Sequence, residues 1–169
     1  MMPNIKRATA ADLDAVWALV SRAMEDMHRR GNPQWSDGYP TRAIFGDAIA
    51  DGDLYLQTLA DGTILGCAVL NSIEEEEHQT VRWSVPGPAM VLHKMAFDPA
   101  YQHQGGGSAF FAYAEELARQ RGLKSLRMNT FSKNDRMQAL VSKLGFSHVG
   151  DVHFGRLSLP YPCYEKVLF

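Results

Sequence analysis

The chain has 169 residues, 46% of them hydrophobic and 21% charged, which suits one soluble globular domain (1–169) with a sizeable core. A formal net charge of −2 argues against a nucleic-acid partner, which calls for a basic patch, and no apolar run is long enough to cross a bilayer. The first residues carry no apolar signal segment, and two cysteines, Cys67 and Cys163, give neither a disulfide framework nor a metal spacing. The expectation is a cytoplasmic protein without membrane, nucleic-acid or metal partners, its cysteines serving as small buried hydrophobes.

Residues 4–8 read as a short first strand. Thr9 and Asp12 form a variant capping box, and Leu13, Val16, Trp17, Val20, Met24 and Met27 then recur at helical spacing until Gly31-Asn32-Pro33. Residues 34–40 are a loop by composition that carries two aromatics, Trp35 and Tyr39. Thr41 caps a second short helix with Ile44, Phe45, Ala48 and Ile49 on one face. Two strand-like runs, 53–60 and 63–71, flank Asp61-Gly62, a strong hairpin signal. The acidic run Glu74 to Glu77 reads as a solvated face in a strand connection. A strand over 89–97 follows, then a helix over 108–121 and a strand over 123–131. Ser132 with Asp135 marks the start of a helix carrying Met137, Leu140, Val141 and Leu144, which stops at Gly145. Strands over 146–154 and 163–169 close the chain around a proline-containing loop. Helices interleave with strands while hairpins persist, so the sheet is mixed rather than wholly parallel, in an α/β (α+β) fold.

The strand over 89–97 runs into Gln102-His103-Gln104-Gly105-Gly106-Gly107-Ser108. Glycines at a strand-to-helix junction can take positive φ, and they leave the backbone bare beneath a bulky anion. The unpartnered N–H groups and dipole of a helix start then make a phosphate cradle. A P-loop needs Gly-Lys-Ser/Thr where Phe110-Phe111 stand. A dinucleotide fingerprint needs a third glycine where Phe110 stands. What remains is Gln-x-x-Gly-x-Gly at Gln102, Gly105 and Gly107, either an anion cradle or a glycine-rich turn without ligand.

That pattern resembles the coenzyme A pyrophosphate loop of the GNAT superfamily of N-acetyltransferases. Asp98-Pro99-Ala100-Tyr101 before it and Asn134 followed by Lys143-Leu144-Gly145-Phe146 after it are similar to the same family's motifs. The resemblance implies a strongly bent, mixed sheet of about six to seven strands with flanking helices, and two parallel strands that splay around acetyl-coenzyme A. It further implies that Met95, Ala96 and Phe97 offer backbone groups to the pantetheine arm. Gln102, His103, Gln104, Gly105, Gly106, Gly107 and Ser108 would hold the pyrophosphate, and Asn129 and Asn134 would lie along the cofactor. For Asn134, a helix-cap role is the competing reading. Trp35 and Tyr39 would wall the acceptor pocket, or one of them would anchor its loop in the core.

One position departs from the family. Many members carry a tyrosine, the acid for the departing thiolate, four residues before the glycine of Gly-Phe; here Val141 stands there. Tyr164, Tyr161 and Tyr113 are the substitutes to consider. For the base, His93 shares a strand face with Met95 if side chains alternate, and an imidazole titrates in the right range; Glu74 to Glu77 come next. The expected activity is transfer of acetyl from acetyl-coenzyme A to a small primary amine. A peptide or protein amine as acceptor, a non-catalytic acyl-coenzyme A binder and a nicotinamide oxidoreductase are the alternatives, the last opposed by the missing glycine. A homodimer is compatible with the sequence.

Overall fold

The computed structural model describes residues 4–36, 38–101 and 105–168. They form strand β1 (Asn4–Arg7), helices α1 (Leu13–Arg29) and α2 (Arg42–Ala50), strands β2 (Leu54–Thr58), β3 (Ile64–Asn71) and β4 (Met90–Phe97), and helix α3 (Gly106–Gln120). Strand β5 (Ser125–Asn129), helix α4 (Asp135–Lys143) and strands β6 (Ser147–Val152) and β7 (Tyr161–Val167) follow. The element order matches the expectation. The strands make one mixed, open seven-stranded sheet in the order β1-β2-β3-β4-β5-β7-β6, with β4 and β5 parallel.

By contact the chain divides into two compact units. The first comprises Met1–Leu70 with His93–Phe111, the second Asn71–Leu92 with Ala112–Phe169, so β4 and α3 contribute to both.

In the first unit, α1 buries Val16, Val20 and Met24 of the predicted stripe, with Leu13, Trp17 and Met27 partly buried, and adds Leu19 and Ala23. They meet Phe45 of α2, Leu54 and Leu56 of β2, Cys67 and Val69 of β3 and Ala96 of β4. The hairpin forms as predicted: Leu56 pairs with Cys67, and Gly62 takes φ +89 in the turn. Gly66 is required by packing. A Cβ there would stand 2.5 Å from the Phe97 ring and 3.0 Å from the Ala96 carbonyl oxygen. The Asp12 carboxylate accepts from the Thr9 N–H at 2.7 Å, the reciprocal arm of the capping box.

In the second unit, β7 lies between β5 and β6 and is antiparallel to both; Arg127 pairs with Glu165 and Met128 with Tyr164. Phe131, Val152, Tyr161 and Cys163 form a small core. Three sequence expectations are corrected here. Helix α4 is capped by Asn134, whose Oδ1 accepts from the Met137 N–H at 3.2 Å; Ser132 lies two residues too far out to serve that turn. Strand β7 begins at Tyr161 because Tyr161 and Pro162 already pair with β6. Glu74 to Glu77 are not uniformly solvated, since Glu74 and Glu75 are half-buried beside a short 3-10 turn over Glu76–Thr80.

Candidate functional site

The first unit presents the end of β4 and the start of α3. Lys94 has φ +48, a left-handed conformation uncommon for a residue with a side chain and one that interrupts a regular strand. It therefore breaks the strict alternation on which the shared face of His93 and Met95 depends. His93, Lys94 and Met95 are all half-buried, and Ala96 is again in the core. Beyond β4, Asp98 is fixed on three sides. Its carboxylate pairs with Arg22 at 2.7 Å and accepts from the Ala100 N–H at 3.0 Å, and its own N–H donates to the Leu65 carbonyl at 2.8 Å. The chain therefore leaves the strand in one defined direction.

Gln102, His103 and Gln104 lie outside the described residues. Gly105 takes φ +80, and its carbonyl accepts from the Ala109 N–H at 3.1 Å, which makes it the residue that opens α3. The helix thus starts at Gly106 rather than Ser108, which places Gly106, Gly107 and Ser108 in its first turn, where backbone N–H groups lack intrahelical partners. Among the described residues, nothing lies within 4 Å of a Cβ built on Gly105. Beneath the turn, Gln57 donates to the Gly106 carbonyl at 3.3 Å, and Phe97 meets Phe110 edge-on at 5.9 Å. A Cβ on Gly106 would stand 2.8 Å from Gln57 Oε1, a buried oxygen without a hydrogen-bond partner among the described residues. The donor set and the space suit a phosphate or pyrophosphate.

The two aromatics of the first loop part company. Trp35 is only 5% exposed and belongs to the core of the unit, so its ring has no free face to offer an acceptor; Tyr39 is half-buried, with the Lys94 ammonium 5.8 Å from its ring centroid. Trp35 is the anchor of that loop, and Tyr39 is the aromatic left at the surface.

The second unit holds a buried polar cluster that sequence reasoning missed. His78 is 2% exposed. Its Nδ1 lies 2.9 Å from Glu74 Oε1, and its Nε2 lies 2.8 Å from Asn129 Nδ2. The other oxygen of Glu74 accepts from Arg127 at 2.9 Å, and Arg127 also donates to the Val85 carbonyl at 2.6 Å. The guanidinium stacks 4.4 Å from the Trp83 ring, and the Trp83 indole N–H donates to the His78 carbonyl at 3.0 Å. Glu165, itself buried, accepts from the Ser84 N–H at 2.8 Å and brings its second oxygen to 4.0 Å from Arg127 Nε. Buried charges persist only where such partners surround them. Two signals in the sequence pointed here: Glu74 and His78 stand four apart, and Arg127 and Glu165 are charged residues within strand-forming segments.

Other site residues of this unit are engaged internally. Asn129, expected along the cofactor, gives its amide N–H to His78. Asn134 caps α4 with its oxygen and donates to Thr130 Oγ1 at 3.0 Å with its nitrogen, so its polar atoms are occupied by the fold. The Tyr164 hydroxyl donates to Gln138 at 3.2 Å; burial, reinforced by the Asp151 carboxylate, raises its pKa and keeps it protonated. Tyr161 packs between Phe131 and Phe154, and Val141 is fully buried.

No helix among the described residues is long and apolar enough to cross a membrane. The fold is shared with solved acetyltransferases. A GNAT-family acetyltransferase from Streptococcus agalactiae superposes with a TM-score of 0.84 at 24% identity, over 98% of this chain and 95% of that one. The Salmonella typhimurium protein yncA, solved with its cofactor acetyl-coenzyme A, gives 0.72 at 19% identity over 100% and 95%. The ribosomal-protein-S18-alanine N-acetyltransferase of Escherichia coli gives 0.70 at 19% over 99% and 94%. These likenesses show the fold. Among the curated proteins none matches the chain. The acetyltransferase (GNAT) family profile matches residues 17–146, about three quarters of the length. The chain therefore belongs to the GNAT family of acetyltransferases, enzymes that draw on acetyl-coenzyme A as acetyl donor.

Proposed function

We propose that this protein transfers the acetyl group of acetyl-coenzyme A to the primary amine of a small molecule, by direct attack of the amine on the thioester. The observation that carries the reading is the start of α3: a left-handed Gly105 with open space above it, followed by first-turn N–H groups on Gly106, Gly107 and Ser108. In this reading those N–H groups hold the pyrophosphate. Backbone groups of Met95 to Phe97 align the pantetheine arm.

The donor supplies an activated carbonyl and a thiol leaving group. The chain's own residues supply position and polarisation. A backbone N–H at or near Phe97 polarises the acyl oxygen, and the left-handed Lys94 three residues earlier supports a strand adapted to this use rather than to a continuous ladder. His93, on the same stretch, is the proposed base for the ammonium, acting directly or through a water.

Direct attack is favoured over a relay through cysteine. Cys67 and Cys163 are both buried, and burial pushes each thiol up to about 12, so neither offers a thiolate at neutral pH. Two buried unpaired cysteines also support the cytoplasmic location expected from the sequence. Tyr164 is the proposed acid for the leaving thiolate, in place of the tyrosine that Val141 replaces. Burial keeps it protonated, and its hydrogen bond to Gln138 must be exchanged for one to the leaving group.

The test is mass spectrometry of an amine panel incubated with acetyl-coenzyme A: polyamines, amino acids, aminoglycosides and N-terminal peptides. Acetylation of a free amine is the expected result. Faster turnover of a peptide shifts the acceptor class to proteins, and tight acetyl-coenzyme A binding without any product overturns the enzymatic reading. On the active amine, His93→Ala lowers kcat by ~10²-fold with little change in donor affinity, the loss typical of a general base. Near-normal kcat returns His93 to a packing role.

A further inference from the structure

We infer that Gln57 is a positioning residue for the donor's pyrophosphate: it ties down the peptide between Gly106 and Gly107, so that the Gly107 N–H is fixed toward the anion. The anion's identity rests on the acetyltransferase reading above; the tie from β2 to the glycine turn does not.

Alternation along β2 decides where Gln57 goes. Leu54 and Leu56 enter the core shared with α1 and α2, so Gln57 projects from the opposite face of the sheet. It pairs there with Gly66, whose missing side chain leaves room for the Phe97 ring. Gln57 and Phe97 together floor the first turn of α3. A Cβ on Gly106 would stand 2.8 Å from Gln57 Oε1 and 3.4 Å from that ring.

Hydrogen-bond polarity fixes the amide. The Gly106 carbonyl oxygen can only accept, so the atom facing it at 3.3 Å must be the donor, Gln57 Nε2. The opposite orientation would set two acceptor oxygens against each other. In a trans peptide the C=O and the N–H that follows it point to opposite sides. A tie on the Gly106 oxygen therefore orients the Gly107 N–H the other way, out of the N-terminal end of α3. It also polarises that peptide, which strengthens the N–H as a donor. Glycines at 105, 106 and 107 carry no side chains that could fix their own backbone. A tie from a neighbouring strand is what turns such a flexible turn into a preorganised one.

The other end of the amide separates this role from packing. Gln57 is wholly buried, and its Oε1 has no hydrogen-bond partner among the described residues. A buried acceptor left in that state works against folding. Methionine, of similar length, would fill the same space without it. For stability alone Gln57 is a liability, whereas for orienting a peptide it supplies the donor that an apolar side chain lacks.

The experiment uses the full chain with two donors, acetyl-coenzyme A and S-acetylpantetheine, which lacks the pyrophosphate. Gln57→Met should raise the acetyl-coenzyme A Kd in calorimetry about tenfold, the size of one positioned hydrogen bond. On the amine that the wild type turns over fastest, the loss should fall on the donor KM rather than on kcat. With S-acetylpantetheine, kcat/KM should stay within about twofold of wild type, because no anion is left to hold. The melting temperature should hold or rise, since the orphaned oxygen is gone. In the wild type, NMR should find a Gln57 side-chain N–H protected from exchange. Four results overturn the inference: an acetyl-coenzyme A Kd within about twofold of wild type, an equal loss with S-acetylpantetheine, a melting temperature that falls in step with affinity, or a Gln57 amide that exchanges as freely as an exposed one. A wild type that binds no acetyl-coenzyme A overturns the functional reading instead, and the exchange measurement then tests the tie to Gly106 by itself.

Discussion

The two compact units treat their polar groups in opposite ways. The first leaves backbone polar groups without helical partners: at the start of α3 a glycine takes a left-handed turn, and the N–H groups of the first helical turn follow it. The second gathers side-chain charge into its interior, where Glu74, His78, Arg127, Asn129 and Glu165 answer one another over bonds of 2.8 to 2.9 Å and a 4.0 Å approach. The difference follows from what each has to hold. A large anion needs several donors and no steric cover, which bare backbone supplies cheaply. Buried charges need partners on every side, which takes a packed, bonded frame.

The comparison breaks first at the glycine turn. Gly107→Glu should abolish acetyl-coenzyme A binding in calorimetry while the melting temperature stays near wild type, because the new carboxylate occupies and repels the anion space. Retained affinity would remove the pyrophosphate from α3.

The second unit should answer in stability rather than in donor binding. Arg127→Leu leaves Glu74 and Glu165 without their cation in a site where Arg127 and Glu165 are almost wholly buried. Loss of one partner of a buried pair costs about 3–5 kcal/mol, to be read from urea unfolding. A change under about 1 kcal/mol would mean that water reaches the cluster and that its frame is loose.

The smallest effect sharpens the division between binding and capping. Asn134→Ala should cost about 1 kcal/mol of stability as a lost helix cap, with donor affinity unchanged. Ser132→Ala should be neutral. A selective loss of donor affinity in Asn134→Ala would restore the cofactor role that the resemblance implies for it.

What the sequence could state, it stated through local rules. Thr9 with Asp12, Asp61-Gly62, Gly145 and the apolar spacing of α1 each act within a few residues, so element order and the mixed sheet were legible before any coordinates. The glycine turn was legible for the same reason, since a positive φ and a helix start are properties of adjacent residues. The family likeness narrowed the anion to the donor's pyrophosphate.

Tertiary structure decided the rest. Trp35 and Tyr39 share one loop and one kind of side chain, yet only the packing of the first unit determines which is buried. The left-handed Lys94 overrides the two-residue alternation of a strand, a conformational choice that no side-chain pattern in β4 announces. Above all, Glu74 meets Arg127 across 53 positions and His78 meets Asn129 across 51. Such contacts depend on strand order and register, which place distant residues side by side. The sequence supplied the charges, and the sheet selected their partners.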